Sequence, residues 1–198
     1  MKFCKNIFLI TLLLVTLATF SFANTEEVEA TLNKEIIVTS NNEIQEFQNA
    51  KGERVYPISY KGTTFLPIRS ISSLFKSKIK WEASTNSIYL GEGELDISSS
   101  KSTTSFTKGN NETIKAKLNQ DIKIYHNNKI QTFTDASGKP VYPISYNGTT
   151  YLPVRAVSNL FNLKIDWNGE NKTVMISNVI ICSIITQCFN SFYIFCIF

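Results

Sequence analysis

The residue types that most often do chemistry are scarce and scattered along this chain. His126 is its only histidine, and it falls in a polar turn rather than beside a reactive serine or cysteine. A serine or cysteine nucleophile needs a neighbouring base, and a zinc or copper site needs several nitrogen or sulfur ligands. The acidic residues form no spaced pair that recurs along the chain, as a glycosidase-like site would need. The sequence therefore predicts a protein that is not an enzyme and has no metal or cofactor.

Three kinds of side chain suited to binding occur twice, each time 86 residues apart. Arginine binds carboxylates and phosphates through its planar fork of N–H groups, and aromatic rings pack on flat apolar faces such as that of a sugar ring. Each pair also has a structural interpretation: local ion pairs for the arginines, packing across a hairpin for the tyrosines, and cover for the end of the core for the tryptophans. The candidate contact residues are Tyr60, Arg69, Trp81, Tyr146, Arg155 and Trp167.

These pairs belong to an internal repeat. The segment Val55–Phe75 recurs as Val141–Phe161, and the same offset relates residues 30–90 to residues 116–176 without a gap. Self-similarity over such a length predicts that one small structural unit occurs twice.

Each copy has the pattern of a small α+β unit. In the second copy, Asp121–Tyr125 alternates apolar and polar residues like a half-buried strand, and Ile130–Phe133 follows across a turn. Asn147-Gly148 separates two β-rich segments, which is a strong hairpin signal. Pro153 fits the first turn of a short helix, and a last hairpin contains Trp167. We expect each copy to form its own antiparallel sheet of about five strands packed on one short helix.

The repeated pattern resembles a known family. Pro-Ile-Ser-Tyr-x-Gly-Thr-Thr-(Phe/Tyr)-Leu-Pro-(Ile/Val)-Arg, followed by an amphipathic helix, Ile-x-Trp and a hairpin, is similar to the copper amine oxidase N-terminal (stalk) domain. The similarity is to the form found, often in tandem, in exported proteins of Gram-positive bacteria. The resemblance implies an antiparallel sheet around one helix and no catalysis, since the copper-binding histidines and quinone cofactor of amine oxidases lie in a separate domain. With one histidine, this chain has no such copper site.

The ends and the middle of the chain differ in composition from the two copies. Lys2, Lys5, an apolar run and Ser21-Phe22-Ala23 are typical of a cleaved secretory signal, with an uncleaved anchor as the alternative. The apolar C-terminal segment is interpreted either as a membrane tail or as out-of-frame sequence. The four cysteines lie only in these two end segments. The predicted organisation is a signal peptide at 1–23, repeat A at 26–92, a flexible linker at 93–111, repeat B at 112–178 and an apolar tail at 179–198.

Charge and targeting narrow the expected function. The net charge is +4, and no stripe of lysine and arginine is present, so nucleic acid is not an expected partner. We expect an exported protein, secreted or cell-surface associated, that touches a membrane only through its signal or its tail. The leading hypothesis is a non-catalytic cell-envelope module that binds a wall polymer or another envelope protein. The alternatives are a dimerisation or scaffold stalk and, from another class, a hydrolase or oxidase.

Overall fold

The computed structural model describes residues 25–95, 98–135 and 137–178, which form a mostly β fold with two short helices. This composition fits the expected α+β class. The predicted signal peptide and apolar tail lie outside the described residues, and both stay predictions. Within the described ranges, no helix has the length and apolar character needed to cross a membrane.

Repeat A supplies eight strands, one α-helix and a single 3-10 turn. They are β1 (Thr25–Leu32), β2 (Ile37–Ser40), β3 (Glu43–Gln48), β4 (Arg54–Val55), β5 (Ile58–Tyr60), β6 (Thr63–Pro67), α1 (Ile68–Phe75), β7 (Ile79–Glu82), the 3-10 turn (Ala83–Thr85) and β8 (Ser87–Leu90). Strand β9 (Ser100–Thr103) follows in the segment between the repeats.

Within the described ranges, repeat B supplies the equivalent strands and helix in the same order, with one strand divided in two and a simple turn at 169–172 in place of the 3-10 turn. They are β10 (Glu112–Asn119), β11 (Lys123–His126), β12 (Lys129–Gln131), β13 (Phe133–Thr134), β14 (Pro140–Val141), β15 (Ile144–Tyr146), β16 (Thr149–Pro153), α2 (Val154–Leu160), β17 (Leu163–Asn168) and β18 (Thr173–Asn178).

Strands from both repeats close a six-stranded barrel in the order β1-β10-β15-β16-β6-β5. The repeats meet at two antiparallel junctions, β1 with β10 and β6 with β16. At each junction, residues 86 positions apart face each other: Glu29 lies opposite Lys115, and Leu66 lies opposite Leu152. The two repeats are therefore related by a pseudo-twofold axis through these pairs.

Each of two further sheets combines a hairpin from one repeat with a hairpin from the other. β8 of repeat A pairs in parallel with β11 of repeat B, and β18 of repeat B pairs in parallel with β2 of repeat A. The expected layout, one self-contained antiparallel sheet per repeat, is not confirmed, because the terminal hairpins of each repeat find their partners in the other. Strands pair through backbone N–H and C=O groups, which are the same in both repeats. The sequence pattern of a strand therefore does not predict which strand it pairs with.

The segment between the repeats is partly built into a sheet. β9 pairs antiparallel with β3, from Ile44 opposite Thr103 to Phe47 opposite Ser100. Composition predicted a flexible linker over 93–111, and that interpretation is wrong for residues 100–103. Serine and threonine are compatible with an edge strand because their hydroxyls bond to polar neighbours, here Gln45 and Glu43.

Two apolar clusters hold the structure together. The barrel interior is filled by the alternate residues of its strands, which include Val28, Ile58, Phe65, Ile144 and Tyr151. A second core lies outside the barrel wall, where Leu66 and Leu152 pack with helix residues Ile71 and Val157 and with residues of the mixed sheets. Because neighbouring residues of a strand point to opposite faces, Phe65 enters the barrel while Leu66 enters the second core, and β6 is buried on both faces.

Prolines and hairpin turns mark the element boundaries close to where the sequence predicts them. Helices α1 and α2 begin directly after Pro67 and Pro153, which end the preceding strands and occupy the N-cap, one position before the expected first turn. Pro57 lies between β4, in a mixed sheet, and β5, in the barrel. Both residues of the Asn147-Gly148 turn have positive φ, as a hairpin turn of this kind requires.

Candidate functional site

Two equivalent clefts carry the duplicated arginines and tryptophans. Cleft A, of about 650 Å³, is lined by Arg69 and Trp81, and cleft B, of about 830 Å³, by Arg155 and Trp167. Both volumes lie in the range of small-ligand pockets. The structure therefore brings each predicted arginine together with the tryptophan of its own repeat.

Each cleft is completed by the other repeat. The turn and strand start at Gly62, Thr63 and Thr64 of repeat A line cleft B. The equivalent Gly148, Thr149 and Thr150 of repeat B line cleft A. Each cleft contains residues of the other repeat because β6 pairs with β16. This pairing places the hairpin of each repeat beside the helix of the other repeat. These threonines belong to β6 and β16, and their recurrence in both repeats is the sequence signal for a role at the clefts.

The tryptophans lie open at the clefts and do not cover the core. Trp81 is 48% and Trp167 47% exposed, and neither belongs to an apolar cluster. Both lie on hairpin strands, Trp81 on β7 and Trp167 on β17, where side chains alternate between the two faces of the sheet. Large exposed apolar rings are unfavourable in water, so the same exposure in both repeats indicates a surface suited to contact.

The arginines occupy the second position of each helix. Neither helix has an acidic residue in its first turn, so no carboxylate of that turn offsets the repulsion between the arginine and the positive end of the helix dipole. Arg155 is exposed and makes no ion pair with any carboxylate in the part of the chain that the structure describes. Its guanidinium therefore faces solvent at the rim of cleft B.

Charged groups at the edge of cleft B pair with one another. The Lys172 ammonium forms an ion pair with Glu35, and the Asn111 amide donates to the same carboxylate at 3.0 Å. The Lys172 contact holds the pKa of the Glu35 carboxyl below its ordinary value. Across the cleft, hydrogen bonds from the Ser137 hydroxyl and the Lys139 backbone N–H lower the pKa of Asp135. Both carboxylates thus have hydrogen-bond partners within the protein, whereas Arg155 and Trp167 are exposed side chains of the cleft lining.

The tyrosine pair lies elsewhere. Tyr60 and Tyr146 are half-buried, pack against the barrel cluster and do not line either cleft. The Lys61 ammonium lies 5.0 Å from the centre of the Tyr60 ring. The geometry favours the structural interpretation of both tyrosines, packing at the hairpin, over direct contact with a ligand.

His126 takes part in packing. It ends β11, and its ring lies edge-on to Phe161 with 5.1 Å between centres. Across the described ranges, no three histidine, cysteine or acidic side chains gather in a way that would hold a metal ion.

Comparison with known proteins confirms the family resemblance of the repeated pattern. The family described as "Copper amine oxidase N-terminal domain" matches residues 54–176, more than half of the chain. The match is one continuous range from β4 of repeat A to β18 of repeat B, so the tandem arrangement rests on the internal repeat. Neither the curated proteins nor the solved structures gave a match. This family is a non-catalytic stalk domain family, and the chain belongs to it.

Proposed function

We propose that this protein is an exported, non-catalytic cell-envelope module that binds a wall polymer through clefts A and B. The single observation that carries the proposal is the duplication of an exposed tryptophan beside an arginine in two equivalent clefts. The signal-like N-terminus and the non-catalytic character of the family support it.

The chemistry of the clefts suits an anionic saccharide. The exposed face of an indole is apolar and flat, and it matches the apolar face of a sugar ring. The arginine supplies a charge-assisted hydrogen bond to a carboxylate or phosphate on the same polymer. The threonine hydroxyls from the opposite repeat add donors and acceptors for sugar hydroxyls.

Two clefts on one body suit a repetitive target. Because the repeats share a barrel, the clefts keep a fixed separation instead of moving independently on a linker. A polymer that reaches both clefts is held by two contacts, and the second is effectively intramolecular. Loss of one cleft should then reduce retention on the polymer more than loss of half the sites would.

The test is co-sedimentation of the full chain with purified peptidoglycan that retains its wall polymers. We expect the native chain to sediment, the single variants Trp81→Ala and Trp167→Ala to sediment less, and the double variant to lose about tenfold or more in affinity. Met175→Ala, which removes another exposed apolar side chain on β18, is the matched control. Absence of sedimentation, or equal sedimentation of the double variant, would remove the proposal. A mass that rises with concentration in sedimentation equilibrium would favour the scaffold alternative.

A further inference from the structure

We infer that repeat B presents a strand edge that binds an extended segment of a partner protein. This edge, Lys129–Thr134, comprises β12, Thr132 and β13 and is called the open edge below. The inference goes beyond the proposed function, because it concerns a polypeptide partner and a surface that contains neither tryptophan.

Repeat A shows how the equivalent edge is used. β3 has β2 and β4 on one side and β9 on the other. Side chains reinforce the pairing: the Gln45 amide donates to the Ser102 hydroxyl at 3.0 Å, and the Ser100 hydroxyl donates to Gln45 Oε1 at 2.8 Å. The Gln48 backbone N–H donates to the Ser99 carbonyl at 2.9 Å. An extended, hydroxyl-rich strand is thus the native occupant of this edge in repeat A.

In repeat B the same edge has no occupant among the described residues. β12 pairs with β11, and β13 with β14, all on the side that corresponds to β2 and β4. The side-chain amide of Gln131, the equivalent of Gln45, donates to the neighbouring Lys129 carbonyl, and within the described ranges this side chain has no bond to another strand. Ile130 is 58% exposed, whereas the equivalent Ile44 is half-buried beside β9.

The space beside the open edge adjoins cleft B. Residues 131–135 all line cleft B, whereas of the equivalent residues 45–49 only Gln48 and Asn49 line cleft A. Cleft B thus extends along the open edge, whereas the equivalent edge of repeat A is paired with β9. An unpaired strand edge with an exposed isoleucine is a ready template for strand addition.

The segment that binds the open edge is extended, and its residue types are inferred from β9 and from the residues that differ between the two repeats. Hydroxyl side chains should face Gln131, as Ser100 and Ser102 face Gln45. Lys129 replaces Glu43, which accepts a hydrogen bond from Ser102, so an acidic residue at that position of the partner would pair with Lys129. The partner is thus a Ser/Thr-rich extended peptide with one acidic residue.

The probe is a labelled peptide with the sequence of residues 98–104 carrying the change Ser102→Glu, added to the full chain and followed by fluorescence anisotropy. We expect saturable binding, weaker binding of the unchanged peptide, and protection of amides 129–134 from hydrogen exchange. Ile130→Glu should weaken binding by about tenfold, since it places a negative charge against the acidic peptide and removes apolar contact. Met175→Glu is the control for an added charge on another exposed strand position.

The outcomes separate the possible occupants. No binding to the full chain, or binding that Ile130→Glu leaves unchanged, overturns the inference. Binding that appears only after residues 179–198 are removed overturns it as well, because the chain's own C-terminal segment then covers the open edge. The double tryptophan variant should bind the peptide as the native chain does, so failure of the wall-polymer proposal and failure of this one are distinguishable.

Discussion

Leu66 and Leu152, which hold the same position in the two repeats, lie directly opposite each other at the junction of β6 and β16, and both are fully buried. The junction of β1 and β10 repeats this relationship with Glu29 and Lys115. The axis through both pairs explains why each cleft takes residues from both repeats. The same axis also explains why the second core is shared, since side chains from both repeats pack in one cluster.

Truncation of either leucine should therefore destabilise the whole molecule. Leu66→Ala and Leu152→Ala should each cost about 2–5 kcal/mol in the free energy of unfolding, because each leaves a cavity in a close-packed core. The double variant should depart from the sum of the two costs, since the side chains pack in one cluster. Urea unfolding followed by circular dichroism measures this, and additivity within about 0.5 kcal/mol would contradict the shared core.

Cleavage between the repeats should not separate them. A protease recognition sequence inserted between Thr107 and Lys108, which are both exposed, allows the folded chain to be cut there. Because β8 pairs with β11 and β18 with β2, we expect the two pieces to co-elute in gel filtration and to part only in denaturant. Two independent modules on a linker would instead separate immediately after cleavage, which makes the two arrangements easy to tell apart.

Gly93 should tolerate a side chain less well than a glycine of similar φ in open space. A Cβ at Gly93, where φ is +91°, would lie 2.7 Å from the Ile79 carbonyl oxygen and 2.8 Å from Lys80 Cβ. Gly52, with φ of +78°, has nothing within 4 Å and provides the matched control. Gly52→Ala should cost roughly 1–2 kcal/mol from backbone strain alone, and Gly93→Ala more. Equal costs in urea unfolding would indicate that the segment beside cleft A does not pack on β7 as described.

The Glu35–Lys172 ion pair should stabilise the folded protein at neutral pH, and this contribution should be lost in acid. The Lys172 ammonium, followed by the Asn111 amide, lowers the folded-state pKa of Glu35 below its ordinary value of 4.5. A carboxyl whose pKa is lower in the folded state contributes stability above its unfolded pKa and loses it as pH falls through the folded pKa. Lys172→Met should raise the pKa of Glu35 in an NMR titration and flatten the loss of stability on acidification. Lys123→Met, at another exposed strand position, should leave the Glu35 titration unchanged.

Several features of this protein are determined by local sequence, and the structure agrees with them. The internal repeat, with its offset of 86 residues, gives the same order of strands and helix twice, the turn residues Asn147-Gly148 specify a hairpin, and Pro67 and Pro153 mark the helix starts. These follow from φ preferences, side-chain periodicity and the missing N–H of proline, which act over a few residues. The recurrence of arginine and tryptophan at the same positions of both repeats likewise indicates that each repeat supplies both of these side chains to one cleft.

Only the tertiary structure decided which strands pair and what completes each cleft. Apolar alternation states which face of a strand is buried but not which strand lies beside it, and two repeats with the same pattern offer each hairpin equivalent partners in either repeat. The pairing of β6 with β16 brings Thr63 and Thr64 into the same cleft as Arg155. Pairing with β3 makes residues 100–103 a strand, whereas Ile130 in repeat B is exposed on the open edge. These are contacts between residues far apart in sequence, and they depend on how the whole chain closes its barrel.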